Sequence, residues 1–141
     1  MIQVSRAKRC DTREWIVGFH VKDKHDYILE NLDMRVRGVA ELINAHIVSS
    51  ATISISTRHH DKNGIEIFEN DIIEWIGNVK YIVKYGDYAG QVGLGYYYGL
   101  GFYLERVGFP EHRVPFNAVF LHEYTVIGNV FDNTNLLVSE G

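Results

Sequence analysis

The 141-residue sequence is poor in several features that would fix its class. It has one cysteine, Cys10, which excludes an internal disulfide framework and a cysteine-based zinc cluster. Its longest apolar runs contain about four residues, far short of the roughly 20 that span a membrane, and residues 1–6 lack the apolar core of a signal peptide. We therefore expect no membrane association. The net charge of −4 argues against non-specific nucleic-acid binding over the whole surface.

The sequence is instead rich in aromatic residues, which make up 13% of it and include nine tyrosines. Apolar and polar residues alternate in several segments, and a period of two is typical of half-buried β-strands. These segments are residues 14–21, 52–56, 78–85, 102–107 and 124–130. We therefore predict a mainly β protein. Its core is expected to contain Trp15, Phe19, Ile72, Trp75, Val79, Val83, Leu104, Val126 and Ile127.

Turn signals separate these segments. Asn63-Gly64 is a strong hairpin signal, because both residues tolerate positive φ, and residues 76–78 predict a second tight turn. Two prolines, Pro110 and Pro115, bracket a predicted loop. The apolar stripe from residue 36 to residue 47 indicates a short helix capped by Asp33, although Gly38 and the Val–Ile content weaken this interpretation. The members of the stripe are Val36, Val39, Ala40, Ile43 and Ile47. A further short turn is predicted at residues 133–137.

Two segments together resemble the YopX family. Residues 61–73, DKNGIEIFENDII, resemble the family's DKNGKEIYEGDIV, and residues 126–137, VIGNVFDNTNLL, resemble its VIGNIYENPELL ending. Residues 6–18 and 48–57 fit its opening blocks. The resemblance implies a protein encoded by a phage or prophage, in the cytoplasm of the bacterial host, with no established activity. It therefore supplies no catalytic residues and no cofactor.

The resemblance also implies an SH3-like small barrel in the C-terminal half. We assign residues 59–141 to this barrel, with strands near 71–76, 79–85, 101–107, 116–120 and 124–130. Residues 1–58 are then an N-terminal β-rich extension packed on the barrel, and the whole chain holds at most one or two short helices.

Residues 86–101 differ in kind, because they contain six of the thirteen glycines and four of the nine tyrosines. We predict a long Gly/Tyr-rich loop, which is either functional or mobile. Tyrosine offers a large amphipathic surface at low entropic cost, so the loop is the best candidate for binding a protein partner or a second copy. The candidate residues are Tyr88, Tyr96, Tyr97 and Tyr98. In the alternative, Tyr96 and Tyr98 cover the open end of the barrel and Tyr97 faces solvent.

The N-terminal arm is locally basic and suggests a second function. Its cations could follow phosphates while an aromatic ring stacks on a base, as in single-strand binding proteins. These cations are Arg6, Lys8, Arg9 and Arg13. They could equally form a solvated strand edge, where positive charge discourages edge pairing.

No pattern of catalytic or metal-binding residues stands out. His59 and His60 are adjacent, so on a strand they point to opposite faces and cannot easily share one metal ion. The carboxylates at positions 66, 69, 71 and 74 follow a turn and a strand as solvated edges do. We therefore expect a non-enzymatic protein-interaction or self-associating module without a cofactor. The alternative is a nucleic-acid-binding accessory factor that uses the basic arm.

Overall fold

A computed structural model describes residues 3–22, 24–30, 45–92, 95–116 and 123–138. The fold is mainly β, as predicted, with antiparallel strands and 3₁₀ helices of three and four residues. No helix in this part of the chain is long and apolar enough to cross a membrane. The chain divides into two compact units, Met1–Ser56 and Thr57–Gly141.

The first unit contains an antiparallel sheet in the order β4–β3–β2–β1–β5. Its core consists of small and branched residues, Ala7, Ile16, Ile28 and Val48, with Ile53 packed beside them. The strands are β1 (Ser5–Lys8), β2 (Trp15–Lys22), β3 (Asp26–Leu29), β4 (Ala45–Ile47) and β5 (Ser54–His60), which begins in this unit. A 3₁₀ helix, Ser50–Thr52, precedes β5.

The predicted helix at 36–47 lies mostly outside the described residues. Its last apolar residue, Ile47, is 44% exposed and belongs to β4, where it pairs with Tyr27 of β3. The helical prediction is therefore wrong at its C-terminal end. There the strand-forming character of Ile47 and its pairing with β3 outweigh the helical spacing.

The second unit contains an antiparallel sheet in the order β10–β9–β8–β7–β11. Its strands are β7 (Asp71–Trp75), β8 (Val79–Val92), β9 (Gly95–Arg106), β10 (Phe109–Pro115) and β11 (Thr125–Asn129). A short strand, β6 (Glu66–Phe68), lies beside β5, and a 3₁₀ helix, Thr134–Leu137, follows β11. The core of the second unit contains Ile67, Ile73, Tyr81, Val83 and Leu104.

The described strands form an open sheet ending at β10 and β11, so the SH3-like barrel stays a prediction. The segment between Pro110 and Pro115, predicted as a loop, belongs to β10. The prediction was wrong because Pro110 and Pro115 are tolerated on an edge strand, where the missing N–H disrupts no ladder. The predicted strand at 116–120 falls largely outside the described residues.

Within the predicted core, Ile72, Val83 and Leu104 are buried. Five other members are half-buried: Trp15, Phe19, Val79, Val126 and Ile127. Trp75 is 39% exposed, so its predicted burial was wrong. It is the last residue of β7, and its indole N–H donates a hydrogen bond of 2.8 Å to Glu123, which holds the ring near the surface.

Candidate functional site

The longest element is the hairpin of β8 and β9, which contains most of the predicted binding segment. The two strands pair over twelve consecutive positions, from Tyr81 opposite Arg106 to Val92 opposite Gly95. Residues 86–101, predicted as a loop, are therefore mostly strand, and that prediction was wrong. The glycines that indicated a loop instead have structural roles in this strand pair.

Four glycines shape the hairpin. Gly86 and Gly101 lie opposite each other with φ of 148° and 143°, a backbone region that side chains rarely adopt. Gly90 and Gly99 make room for neighbours, since a Cβ on Gly90 would come within 2.6–2.8 Å of Arg113. Only glycine provides these conformations and close approaches without strain, so a strand pair of this shape requires a Gly-rich sequence.

One side of the hairpin beyond Gly86 and Gly101 is packed. The Tyr88 ring stacks on Tyr103, with 5.0 Å between ring centroids and 27° between planes. A Cβ on Gly99 would meet the same Tyr88 ring at 3.1–3.3 Å. The backbone of Arg113 approaches Gly90. Its guanidinium donates hydrogen bonds to Glu105 and to the Pro110 carbonyl. This side of the hairpin is therefore anchored against the neighbouring strand β10.

The other side of the hairpin is exposed. Tyr96, Tyr98 and Leu100 are 64%, 78% and 72% exposed, and the two tyrosine rings lie 6.1 Å apart. Tyr85 continues the row at the base, 49% exposed and with its ring edge-on to Phe102 at 4.9 Å. We call the surface formed by Tyr85, Tyr96, Tyr98 and Leu100 the tip face. These apolar and aromatic side chains share one exposed face of the strand pair with Asp87, which lies opposite Leu100.

The structure thus separates the four predicted binding tyrosines. Tyr96 and Tyr98 share the tip face, whereas Tyr88 is on the packed side, and the side chain of Tyr97 lies outside the described residues. Tyr85 and Leu100 were not among the predicted binding residues. The period of two from Tyr96 through Tyr98 to Leu100 could have identified Leu100, had the segment been treated as a strand.

The four predicted cations of the N-terminal arm do not act alike. Arg6 and Lys8 lie over the Trp15 ring, 4.8 Å and 5.4 Å from its centroid. Arg9 instead forms a 2.6 Å ion pair with Asp11, which raises the pKa of Arg9 and lowers that of Asp11. Arg13 is exposed in a turn, with φ of 63°.

The DKNG segment forms a turn organised by its first residue. Asp61 is only 6% exposed, and its carboxylate accepts three backbone N–H groups, from Asn63 and Ile65 in the turn and from Val126 on β11. Burial raises the pKa of Asp61, but these hydrogen bonds outweigh burial and hold that pKa below its ordinary value. Asp61 therefore stabilises the turn and fixes β11 to it.

Two further polar residues, in the segments that resemble the YopX family, also accept backbone N–H groups in turns. Asp71, 1% exposed, accepts the Phe68 N–H at 2.7 Å across a turn in which Asn70 has φ of 72°. Asn129 accepts the N–H groups of Phe131 and Asp132, both at 2.9 Å. These side chains bind backbone in the folded chain. Among the described residues, no three His, Cys, Asp or Glu side chains are placed to hold a metal ion.

The sequence model of the YopX protein family matches residues 5–138. The chain belongs to the YopX family. The match covers both compact units, and the resemblance noted in the sequence is thereby confirmed. No curated protein sequence matches this YopX protein. The turn residues Asp61, Asp71 and Asn129 lie in the segments that carried the resemblance, whereas the tip face lies outside those segments.

Proposed function

We propose that this YopX protein is a non-enzymatic interaction module, and that it binds another protein through the tip face. The observation that carries the proposal is the exposure of Tyr96, Tyr98 and Leu100 on a paired and anchored strand. Exposed large apolar residues that cluster mark interaction surfaces more often than scattered ones. Tyrosine is also enriched where proteins bind each other.

The tip face also lies on an ordered strand pair. The tip face stands on two strands paired in register as far as Val92 and Gly95, and its opposite side is packed through Tyr88 and Gly90. A surface that is already ordered loses little conformational entropy on binding.

Following the family resemblance, we place the protein in the cytoplasm of a bacterial host, encoded by a phage or prophage.

The nucleic-acid alternative stays a prediction. Its cations differ in their surroundings, because Arg9 is paired with Asp11 while Arg6 and Lys8 lie over Trp15. Binding to single-stranded DNA that weakens steeply as salt is raised would support this alternative.

Site-specific photocrosslinking tests the proposal. A benzophenone amino acid replaces Tyr98 in bacterial cells that produce the protein, and in a matched variant it replaces Ile76, which is 74% exposed in the turn before β8. We expect protein adducts from position 98 and not from position 76. Adding Tyr96→Ser and Leu100→Ser should reduce the adducts from position 98. Equal adducts from positions 76 and 98, or none from position 98, would contradict the proposal.

A further inference from the structure

A single carboxylate, that of Asp87, lies among the side chains of the tip face. Asp87 is exposed on β8, directly opposite Leu100, and it follows Tyr85 by two positions on the same strand face. Tyr98 pairs with Ala89 and is therefore the diagonal neighbour of Asp87. Opposite side chains on antiparallel strands have Cβ atoms roughly 5 Å apart, and diagonal neighbours are roughly 7–8 Å apart. A partner that covers Leu100 and Tyr98 therefore also covers Asp87.

The described part of the chain provides no counterion for this carboxylate. Among the described residues, no ion pair or hydrogen bond involves the Asp87 side chain. Lys84 pairs instead with Glu105 at 3.1 Å, on the opposite face of the hairpin. Asp87 is the only charged residue in the segment 85–104, and residues 117–122, outside the described part, contain neither lysine nor arginine. Within the described residues, the tip face therefore carries an uncompensated negative charge.

This charge limits the chemistry of a partner. A neutral apolar partner would strip water from the Asp87 carboxylate and give it no hydrogen bond in return, which is costly. An acidic partner would place a like charge beside the carboxylate. A cation on the partner removes both costs, and the net charge of −4 on the chain attracts such a partner over longer distances. The complementary surface therefore contains a cation.

Arginine matches the tip face better than lysine does. The rings of Tyr96 and Tyr98 lie 6.1 Å apart and are 64% and 78% exposed, so aromatic surface is available close to the carboxylate. A guanidinium stacks on such rings, binds a carboxylate through two parallel N–H groups, and is more weakly hydrated than an ammonium. The chain already makes this kind of contact, with Arg6 over Trp15 at 4.8 Å.

We propose that the partner of the tip face presents an arginine side chain, whose guanidinium pairs with Asp87 and stacks on Tyr98. Apolar groups on either side of that arginine then cover Leu100 and Tyr96. This inference rests on the proposed function and names the chemistry of the partner that the same surface binds.

Nuclear magnetic resonance titration of the purified chain with two short peptides tests this inference. One peptide is acetyl-Leu-Arg-Leu-amide, and in the other citrulline replaces arginine, which keeps the shape of the side chain and removes its charge. Both peptides are titrated into the wild type, into Asp87→Asn and into Glu111→Gln, a variant that removes an exposed carboxylate on β10. Urea unfolding of each variant checks that the fold is retained.

We expect the arginine peptide to shift the amide signals of the tip-face residues, with a Kd in the millimolar range that is about fivefold below that of the citrulline peptide. This preference should decrease as salt is raised, because salt screens the ion pair. In Asp87→Asn the preference should fall below about twofold, because the amide carries no charge. Glu111→Gln should keep the wild-type preference.

Equal affinity of the wild type for the two peptides, a preference that persists in Asp87→Asn, or no shift with either peptide up to about 20 mM overturns the arginine partner. The adducts from position 98 in cells separate this inference from the proposed function. Adducts that are unchanged by Asp87→Asn leave the proposed function standing and overturn this inference. Adducts that are lost in Asp87→Asn and kept in Glu111→Gln support both. If position 98 gives no adducts although the peptides are discriminated as expected, the proposed function is overturned and the preference for arginine stands.

Discussion

The base and the tip of the β8–β9 hairpin carry the same kinds of side chain on the same face, with opposite burial. Leu104 at the base is 2% exposed, whereas Leu100, four residues earlier on β9, is 72% exposed. Tyr81 at the base is 7% exposed, whereas Tyr98 at the tip is 78% exposed. Large apolar and aromatic side chains thus lie on the same strand face at both ends, so residue type alone does not determine burial.

The difference comes from what lies over the face. At the base, Ile67 and Ile73 pack with Tyr81, Val83 and Leu104 in one cluster. Phe116, Tyr124 and Val126 complete that layer. Beyond the Gly86–Gly101 pair, the described residues provide no such layer for the tip face, although the opposite side is packed. This exposed strand face is the surface that we propose binds a partner.

The largest expected difference between base and tip is in the free energy of unfolding lost by two leucine variants. Leu104→Ala removes a buried side chain and leaves a cavity, so it should lower the free energy of unfolding by about 3 kcal/mol. Leu100→Ala, on the same strand face, should change it by less than about 0.5 kcal/mol. Urea unfolding of both variants at low protein concentration measures the difference. Equal losses would show that the tip face is covered in solution by the chain itself.

The sequence was sufficient to predict the base of the hairpin. Residues 79–85 and 102–107 alternate cleanly, and the turn before them was recognised from Gly77 and Asn78, which have φ of 87° and 63°. The family segments predicted turns in the same way. Local pattern was enough here because each side chain's neighbours follow directly from pairing along the chain.

The tip could not be predicted in the same way. Its glycines indicated a loop because the sequence does not show that Arg113 approaches Gly90, or that Gly86 lies opposite Gly101. These are contacts between distant or paired strands. For the same reason, the choice of Tyr88 as a binding residue missed its stacking on Tyr103, and Leu100 was overlooked. Residue type singled out the segment in the sequence, whereas strand pairing shows which of its side chains share an exposed face.

A second, smaller effect distinguishes the two sides of the tip. Gly90→Ala places a methyl group against the Arg113 backbone and should cost about 2 kcal/mol of unfolding free energy. Ala89→Ser, at the adjacent exposed position, should change stability by less than about 0.5 kcal/mol. Urea unfolding with hydrogen exchange of the tip amides measures both. If Gly90→Ala is as stable as Ala89→Ser, the hairpin does not pack closely against β10 at Gly90.

The smallest expected effect is a pH dependence of stability at the DKNG turn. In the folded chain the pKa of Asp61 lies below its ordinary value near 3.8, so the folded state binds fewer protons at this site than the unfolded state. The stabilisation is therefore present above that pH and is lost as pH falls through the folded pKa, at about 1.4 kcal/mol for each unit of pKa difference. Asp61→Asn should be less stable than the wild type at about pH 6.

The gap between wild type and Asp61→Asn should then narrow in acid, because protonation removes the same charge from the wild-type carboxylate. Urea unfolding of both proteins between about pH 2 and pH 7 measures this gap. Glu111→Gln, an exposed carboxyl on β10, is the matched control and should stay within about 0.5 kcal/mol of the wild type throughout. A gap that is constant with pH would mean that the pKa of Asp61 is the same in the folded and unfolded chains, which would contradict this prediction. The charge of the Asp61 carboxylate would then contribute nothing to the stability of the DKNG turn.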